Sequence, residues 1–194
     1  MGKLIFFSGS MSSGKSTHLL QNAYNHKKNG MKVIYLTSAL DDRYGTGKIT
    51  SRIGIESEAQ VIPKDDLSVI HDVIKLLQVD NDYNSIYVDE CQFLNRKQID
   101  LLADIADEHM VDVYCYGIKT DFESNTFEGS QRLFEIADEI HELKNVCENQ
   151  KCGRNAIMNA RIVDSTDKVF IGGDESYKSL CRKCYKNYMR NKNG

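Results

Sequence analysis

The stretch "FFSGSMSSGKSTHLL", Phe6 to Leu20, sets a glycine- and serine-rich turn between an apolar run and an apolar helix pattern. Within it Gly9-Ser10-Met11-Ser12-Ser13-Gly14-Lys15-Ser16 fits G-x-x-x-x-G-K-[ST], and Thr17 follows. Leu4–Phe7 reads as a buried strand and Lys15–Asn29 as a helix, stopped by Lys27, Lys28 and Gly30. Strand, turn and helix in that order are the context the pattern requires. Its glycines let the backbone curl so that several N–H groups point inward, and the helix start adds partial positive charge. Such a loop holds a nucleotide's phosphates. Lys15 is expected to reach the β- and γ-phosphates, and Ser16 to offer a hydroxyl to Mg²⁺.

A second half of such a site is present in "SIYVDECQF", Ser85–Phe93. An apolar strand ends there in Asp89 and Glu90, at the carboxyl end of a sheet where ligands bind. Asp89 suits the Mg²⁺ shell. Glu90 would sit near the γ-phosphate as a base. The tip of this neighbouring strand is expected to face the loop. These two motifs give nucleotide binding and leave the acceptor open: Glu90 would orient water in an ATPase, or deprotonate a hydroxyl in a kinase.

The rest of the chain extends the pattern. Lys32–Thr37, Ala59–Ile62, Ser85–Val88, Val111–Tyr116 and Glu139–Val146 read as strands. Leu67, Ile70, Val73, Ile74 and Leu77 mark one helical face, Asn95 and Gln98 a capping box, and Ser130–Ala137 a short helix. Asp41–Gly54, glycine-rich and charged, reads as a mobile surface loop. Strands alternating with helices predict an α/β fold, a mostly parallel central sheet with flanking helices. With 194 residues, 41% of them hydrophobic, the chain has enough for one core and a small appendage. The expected division is 1–146, the nucleotide-binding domain, and 147–194, a separate lobe.

Net charge is −3 and the pI is about 6.0, which argues against a broad nucleic-acid-binding face. The local basic run of Lys178, Arg182, Lys183, Lys186, Arg190 and Lys192 reads as a solvated helix face. Leu4–Phe7, the first apolar run, is too short for a signal peptide or a membrane span, so a cytoplasmic protein is expected. Disulfides are then not the expected role of the six cysteines. Cys147-x4-Cys152 and Cys181-x2-Cys184 have the spacings of a structural four-thiolate Zn²⁺ site. Cys91 and Cys115 stand alone in apolar stretches. The segment between the cysteine pairs, with Gly172-Gly173 at its centre, would be held at both ends and could fold over a ligand. The five histidines show no ligand spacing, and His141 and Asn145 read as exposed strand residues.

Together "GSMSSGKST", "VDECQF", "YGIKTDF", the two cysteine pairs and "VFIGGDESYKSLCRKCY" resemble the zinc-containing type II thymidine kinases over nearly the whole chain. The resemblance implies a P-loop, RecA-like core with a zinc lobe. It implies transfer of the ATP γ-phosphoryl group to the 5′-hydroxyl of thymidine or deoxyuridine. Glu90 matches the family's catalytic base, Lys15, Ser16 and Asp89 its phosphate and Mg²⁺ groups, and Arg43 an arginine near the phosphates. Gln92 and Phe93 follow the acidic pair as in the family's "DEGQF" pattern, and Gln92 joins the phosphate set. Met11, Phe93, Ile118, Phe122 and Phe127 match positions around the nucleoside, and Tyr177 a tyrosine beside the sugar. Asn159 stands where many relatives carry a threonine near the thymine methyl. Phe170, Ile171, Gly172 and Gly173 match the "lasso" whose backbone holds thymine. A homotetramer inhibited by dTTP, with no membrane and no nucleic-acid partner, is also implied. Two other readings remain at this stage: a P-loop ATPase coupled to nucleic acid through a zinc ribbon, and a non-catalytic nucleotide sensor.

Overall fold

Alternation down each long strand explains the architecture. Leu4 and Phe6, Ile34 and Leu36, Ile86 and Val88, and Val113 and Cys115 point to one face of a sheet. Phe7, Val33, Tyr35, Tyr87, Tyr114 and Tyr116 point to the other. A sheet apolar on both faces must be covered on both, as parallel sheets are.

The computed structural model describes residues 2–40, 47–163 and 175–192. In chain order β1 is Leu4–Gly9, α1 Lys15–Lys28, β2 Lys32–Ser38, β3 Lys48–Thr50, β4 Glu56–Glu58 and β5 Gln60–Ile62. Then come α2, Ser68–Val79, β6, Tyr83–Asp89, and a single 3₁₀ turn at Cys91–Phe93. They are followed by α3, Arg96–His109, β7, Asp112–Gly117, α4, Glu128–Ile136, and β8, Glu139–Leu143. The chain continues with β9, Asn145–Val146, β10, Asn155–Ala156, β11, Met158–Arg161, β12, Tyr177–Leu180, and α5, Arg182–Lys192.

Six strands form the main sheet in the order β5-β2-β6-β7-β1-β8, with every pairing parallel. Helices α2, α3 and α4 cover the aliphatic face through Ile70, Val73 and Leu77, Ile99, Leu102 and Ile105, and Leu133. Each such side chain contributes roughly 2 kcal/mol by leaving water. Leu19, Leu20 and Ala23 of α1 pack on the aromatic face. The predicted capping box is present: Asn95 Oδ1 accepts from Gln98 N at 2.9 Å, and Gln98 Oε1 accepts from Asn95 N at 2.9 Å.

Three expectations change. Part of the glycine-rich 41–54 segment is ordered: β3 pairs antiparallel with β4, and Ile49, 1% exposed, packs beside α1. Residues 41–46 lie outside the described residues. The strand expected over 139–146 is two strands, because β8 joins the main sheet while β9 pairs with β10. Asn145 and Val146 thus pair with the segment that follows Cys152 and not with the main sheet. Finally, β6 is not hydrogen-bonded to β1; β7 lies between them. The Asp-Glu tip thus stands two strands from the phosphate loop.

Candidate active site

The loop that follows β1 is built to receive an anion. Gly9 is closely packed: a Cβ there would lie 2.3 Å from Ser13 Oγ, which would have to turn away, and 3.0 Å from the Leu143 carbonyl. Gly14, at φ 77°, takes the left-handed conformation that starts α1. Among the described residues that helix has no side-chain cap, and its first turn has no acidic residue, which leaves the positive end of its dipole without a negative side chain of its own. The hydroxyl oxygens of Ser10 and Ser13 are buried with no hydrogen-bond partner among the described residues. Lys15, 8% exposed, donates from Nζ to Ser10 O at 2.9 Å. An anion bound here would find donors already assembled.

The tip of β6 reaches this loop across the end of β7. Ser16 Oγ donates to Asp89 Oδ2 at 2.8 Å, so the predicted Mg²⁺ pair is in contact. Burial, reinforced by the charge of Glu90, pushes the Asp89 carboxyl up to about 7, against the Ser16 hydroxyl that stabilises its charge. A divalent cation placed between Ser16 and Asp89 would favour the ionised form. An acid–hydroxyl pair in this position fits Mg²⁺, which takes few protein oxygens when phosphates supply the others.

Glu90 follows in a left-handed turn at φ 51° and is half-buried. This conformation is uncommon for a residue with a Cβ, and such outliers cluster at working sites. The Glu90 N–H donates to Asp89 Oδ1 at 3.0 Å. Gln92, 2% exposed, stands behind it: Nε2 donates to Glu90 Oε2, and Oε1 accepts from Ile118 N at 3.2 Å. Both ends of this amide are engaged, so Gln92, expected in the phosphate set, links the Glu90 carboxylate to the Ile118 backbone. Gly117 makes room for it, since a Cβ there would lie 2.6 Å from Gln92 Oε1 and 2.7 Å from Cys91 Sγ. Cys91 and Cys115 are both fully buried, and burial raises the Cys91 thiol well above its ordinary range.

The residues expected around the nucleoside divide into groups. Phe93 and Phe127 meet edge to face at 5.7 Å. Phe122 lies under the Arg161 guanidinium, 3.7 Å from ring centroid to Cζ, and Tyr177 Oη accepts from Arg161 Nη2 at 3.3 Å. Ile118 is fixed by its backbone, accepting from Ser130 Oγ at 2.6 Å as well as donating to Gln92. Asn159 is 3% exposed and holds the phosphate loop: Oδ1 accepts from Met11 N at 2.8 Å. Arg43, Phe170, Ile171, Gly172 and Gly173 lie outside the described residues.

Three contacts were not read from the sequence. Asn145, expected to be an exposed strand residue, is half-buried and donates from Nδ2 to Met11 O at 3.1 Å. Ser179 Oγ donates to the same oxygen at 2.6 Å. Arg52, in the turn between β3 and β4, donates from Nη1 to Ser12 Oγ at 2.7 Å, placing a cation at the loop. The only cue was an arginine in a glycine-rich segment.

The four cysteines of the lobe converge, with all four sulfurs within 4.8 Å of one another. Cys152 Sγ is 3.7 Å from Cys181 Sγ and 3.6 Å from Cys184 Sγ. Sulfurs at the corners of a tetrahedron around Zn²⁺ stand about 3.8 Å apart, given bonds of about 2.3 Å. Lys151 and Gly153, at φ 62° and 64°, turn the longer first spacing back on itself. Two N–H groups support the sulfurs: Cys181 N donates to Cys147 Sγ at 3.2 Å, and Asn149 Nδ2 to Cys184 Sγ at 3.1 Å. The Cys184 backbone N–H, then the thiols around it, bring the Cys181 thiol down to about 6. Asn149 opposes the opposite shift at Cys184, but burial and its sulfur neighbours push that thiol up to about 11. One thiolate forms readily and the next is resisted by its charge, which is the electrostatic need a cation meets. The cluster can hold a metal ion.

Among the described residues no helix is long and apolar enough to cross a membrane. In α5 the basic residues Arg182, Lys183, Lys186 and Arg190 are exposed, while Tyr185 packs inward.

Comparison with known proteins agrees with this geometry. A thymidine kinase from Shewanella oneidensis is 42% identical over 195 residues, covering 97% of this chain and 99% of its own. One from Vibrio vulnificus is 41% identical over 192 residues, covering 96% and 97%. A solved structure of the Pif1 helicase from Candida albicans overlaps with a TM-score of 0.44 at 15% identity, covering 74% of this chain and 36% of that one. A family model described as Thymidine kinase matches residues 2–185. With the phosphate loop, the acidic strand tip and the cysteine cluster in place, the chain belongs to the thymidine kinase family.

Proposed function

We propose that this protein transfers the γ-phosphoryl group of ATP to the 5′-hydroxyl of thymidine, giving dTMP. The observation that carries the reading is the 2.8 Å contact between Ser16 and Asp89, which brings the phosphate loop and the acidic strand tip into one site, in a chain of this family. Backbone N–H groups within the loop Gly9–Thr17, other than that of Met11, cradle the phosphates, and Lys15 neutralises charge on the moving group. Ser16 and Asp89 are the residues for Mg²⁺, which supplies charge neutralisation at the phosphates when bound. Glu90, oriented by Gln92, accepts the proton of the 5′-hydroxyl as its oxygen attacks phosphorus. Arg52 adds a cation beside the loop, and the family pattern supports Arg43 as an arginine for the phosphates.

The nucleoside site is assigned to Met11, Phe93, Ile118, Phe122, Phe127, Tyr177 and the segment Phe170–Gly173, with aromatic faces for a flat base. Asn159 supports that region from behind the loop. Zn²⁺ is the metal proposed for Cys147, Cys152, Cys181 and Cys184, because four thiolates close a structural site. Family membership also supports deoxyuridine as a second acceptor, dTTP as feedback inhibitor and a homotetramer in the cytoplasm.

The test is a panel of nucleosides incubated with Mg-ATP and assayed for 5′-monophosphate. Thymidine should be converted fastest. ATP consumption stimulated by single-stranded DNA and not by thymidine would replace the kinase reading with a nucleic-acid-coupled ATPase. Nucleotide binding without turnover on any acceptor would indicate a sensor.

A further inference from the structure

We propose that Asn145, Asn159 and Ser179 are positioning residues for the phosphate loop, a clamp through which the cysteine lobe sets the direction of the loop's peptide groups. The inference rests on the reading of Gly9–Thr17 as the phosphate loop and adds to it a set of residues that act on that loop through the Met11 backbone.

All three side chains converge on Met11. Asn159 Oδ1 accepts from Met11 N at 2.8 Å, while Ser179 Oγ and Asn145 Nδ2 donate to Met11 O at 2.6 and 3.1 Å. The lobe supplies them by register. Asn159 of β11 is directly opposite Ser179 of β12, so both project from one face of the ribbon. Asn145 comes from β9, whose partner β10 closes the hairpin around Cys147 and Cys152. The Asn159 amide has one sensible orientation, because its Nδ2 faces Thr120 O at 3.4 Å.

Peptide planarity carries this clamp into the loop. In a trans peptide the N–H and the C=O point in opposite directions, and no peptide among the described residues is cis. Turning the Met11 N–H out to Asn159 therefore turns the Ser10 carbonyl inward, where it accepts from Lys15 Nζ at 2.9 Å and Ser13 N at 3.4 Å. Holding the Met11 carbonyl out toward Ser179 and Asn145 turns the Ser12 N–H inward, toward the hollow where a phosphate would sit. Ser12 is left at φ 59°, a conformation a serine does not take without support. The Met11 N–H is itself committed to Asn159 and is not part of the anion site. The lobe thus holds in advance a loop shape that a bare glycine–serine turn would have to acquire on binding.

The experiment compares the metal-loaded full chain with Asn145→Ala, Ser179→Ala and the double variant. It measures affinity for a fluorescent ADP analogue, KM for ATP and for thymidine, metal per chain and unfolding temperature. Either single variant leaves the Met11 carbonyl one donor, so a two- to fivefold weakening of ADP binding is expected; the double variant should weaken it about tenfold or more. The thymidine KM should move less than twofold, with metal content unchanged. ADP affinity within twofold of the parent in the double variant would overturn the clamp. So would a loss that merely follows lost metal and lost fold, since that is what a packing role predicts. Should the Ser179 variants not fold, Asn145→Ala decides alone, and an unaltered ADP affinity there overturns the proposal. A parent chain that binds no ADP removes the phosphate-loop reading and the clamp with it, whereas a binding parent with equally binding variants removes the clamp only.

Discussion

Gln92→Leu separates two roles for a buried amide. Leucine has a similar volume but no polar atom, so the change deletes chemistry with little change in packing. Two bonds go: the one from Nε2 to Glu90 Oε2, and the one from Ile118 N to Oε1. Leaving a buried N–H unpaired costs about 1–3 kcal/mol, and a hydrogen bond to a charged group contributes about 1.5–3 kcal/mol. Gln92 is 2% exposed, so the first cost applies nearly in full; Glu90 is half-buried and recovers part of the second from water. A net loss of about 2–3 kcal/mol follows, which lowers the unfolding temperature by roughly 5–10 °C for a chain of this size. If about half of it had been orienting the Glu90 carboxylate, kcat falls about tenfold. The ATP KM should stay within twofold. A coupled kinase assay at a temperature where the variant is fully folded reads both constants. Normal kcat with a raised ATP KM would refute the brace and return Gln92 to the phosphates.

Other outcomes follow from the same geometry. Glu90→Gln keeps the shape and removes the base, so turnover should fall by about two orders of magnitude or more with thymidine affinity nearly intact; near-normal turnover would remove Glu90 from its role. Purified protein should contain about one zinc per chain, and a chelator should lower its unfolding temperature and release titratable thiols. Less than half an equivalent in unoxidised, unchelated protein would argue against the four-thiolate site. In the nucleotide-free, Mg²⁺-free protein the fold keeps the Asp89 proton up to about pH 7, far above the ordinary 3.8, so Asp89 makes stability fall as pH rises from about 4 toward 7. Asp89→Asn should flatten that slope and be relatively more stable at pH 7 than at pH 4, while losing activity. Denaturant titrations across that range check the sign.

The sequence carried the elements whose signals are local. The phosphate loop, the strand ending at Asp89, the Asn95–Gln98 cap and the α2 stripe of Ile70, Val73 and Leu77 all stand where their patterns placed them. The β3–β4 hairpin escaped because its strands are three residues each and one reads Glu-Ser-Glu, with no apolar alternation. The break between β8 and β9 escaped because "EIHELKNV" runs on without a glycine or proline to mark it. The place of β7 between β6 and β1 is a long-range pairing, which no local pattern encodes. The acidic pair and the cysteines were legible because few residue types can do their chemistry. The contacts of Asn145, Asn159 and Ser179 with Met11, and of Gln92 with Glu90, were not, since an amide or hydroxyl has many ordinary uses and only the fold chooses its partner.

The interposed strand β7 has a consequence for how such a protein can change its diet. Because β7 lies between β1 and β6, the chain leaving it, from Ile118 to Phe127, emerges between the loop after β1 and the acidic tip of β6. Under the proposed function, the molecule to be phosphorylated would meet that segment. Exchanges there would then bear on which guest is admitted, most safely beyond Ile118, whose N–H holds Gln92 and through it Glu90.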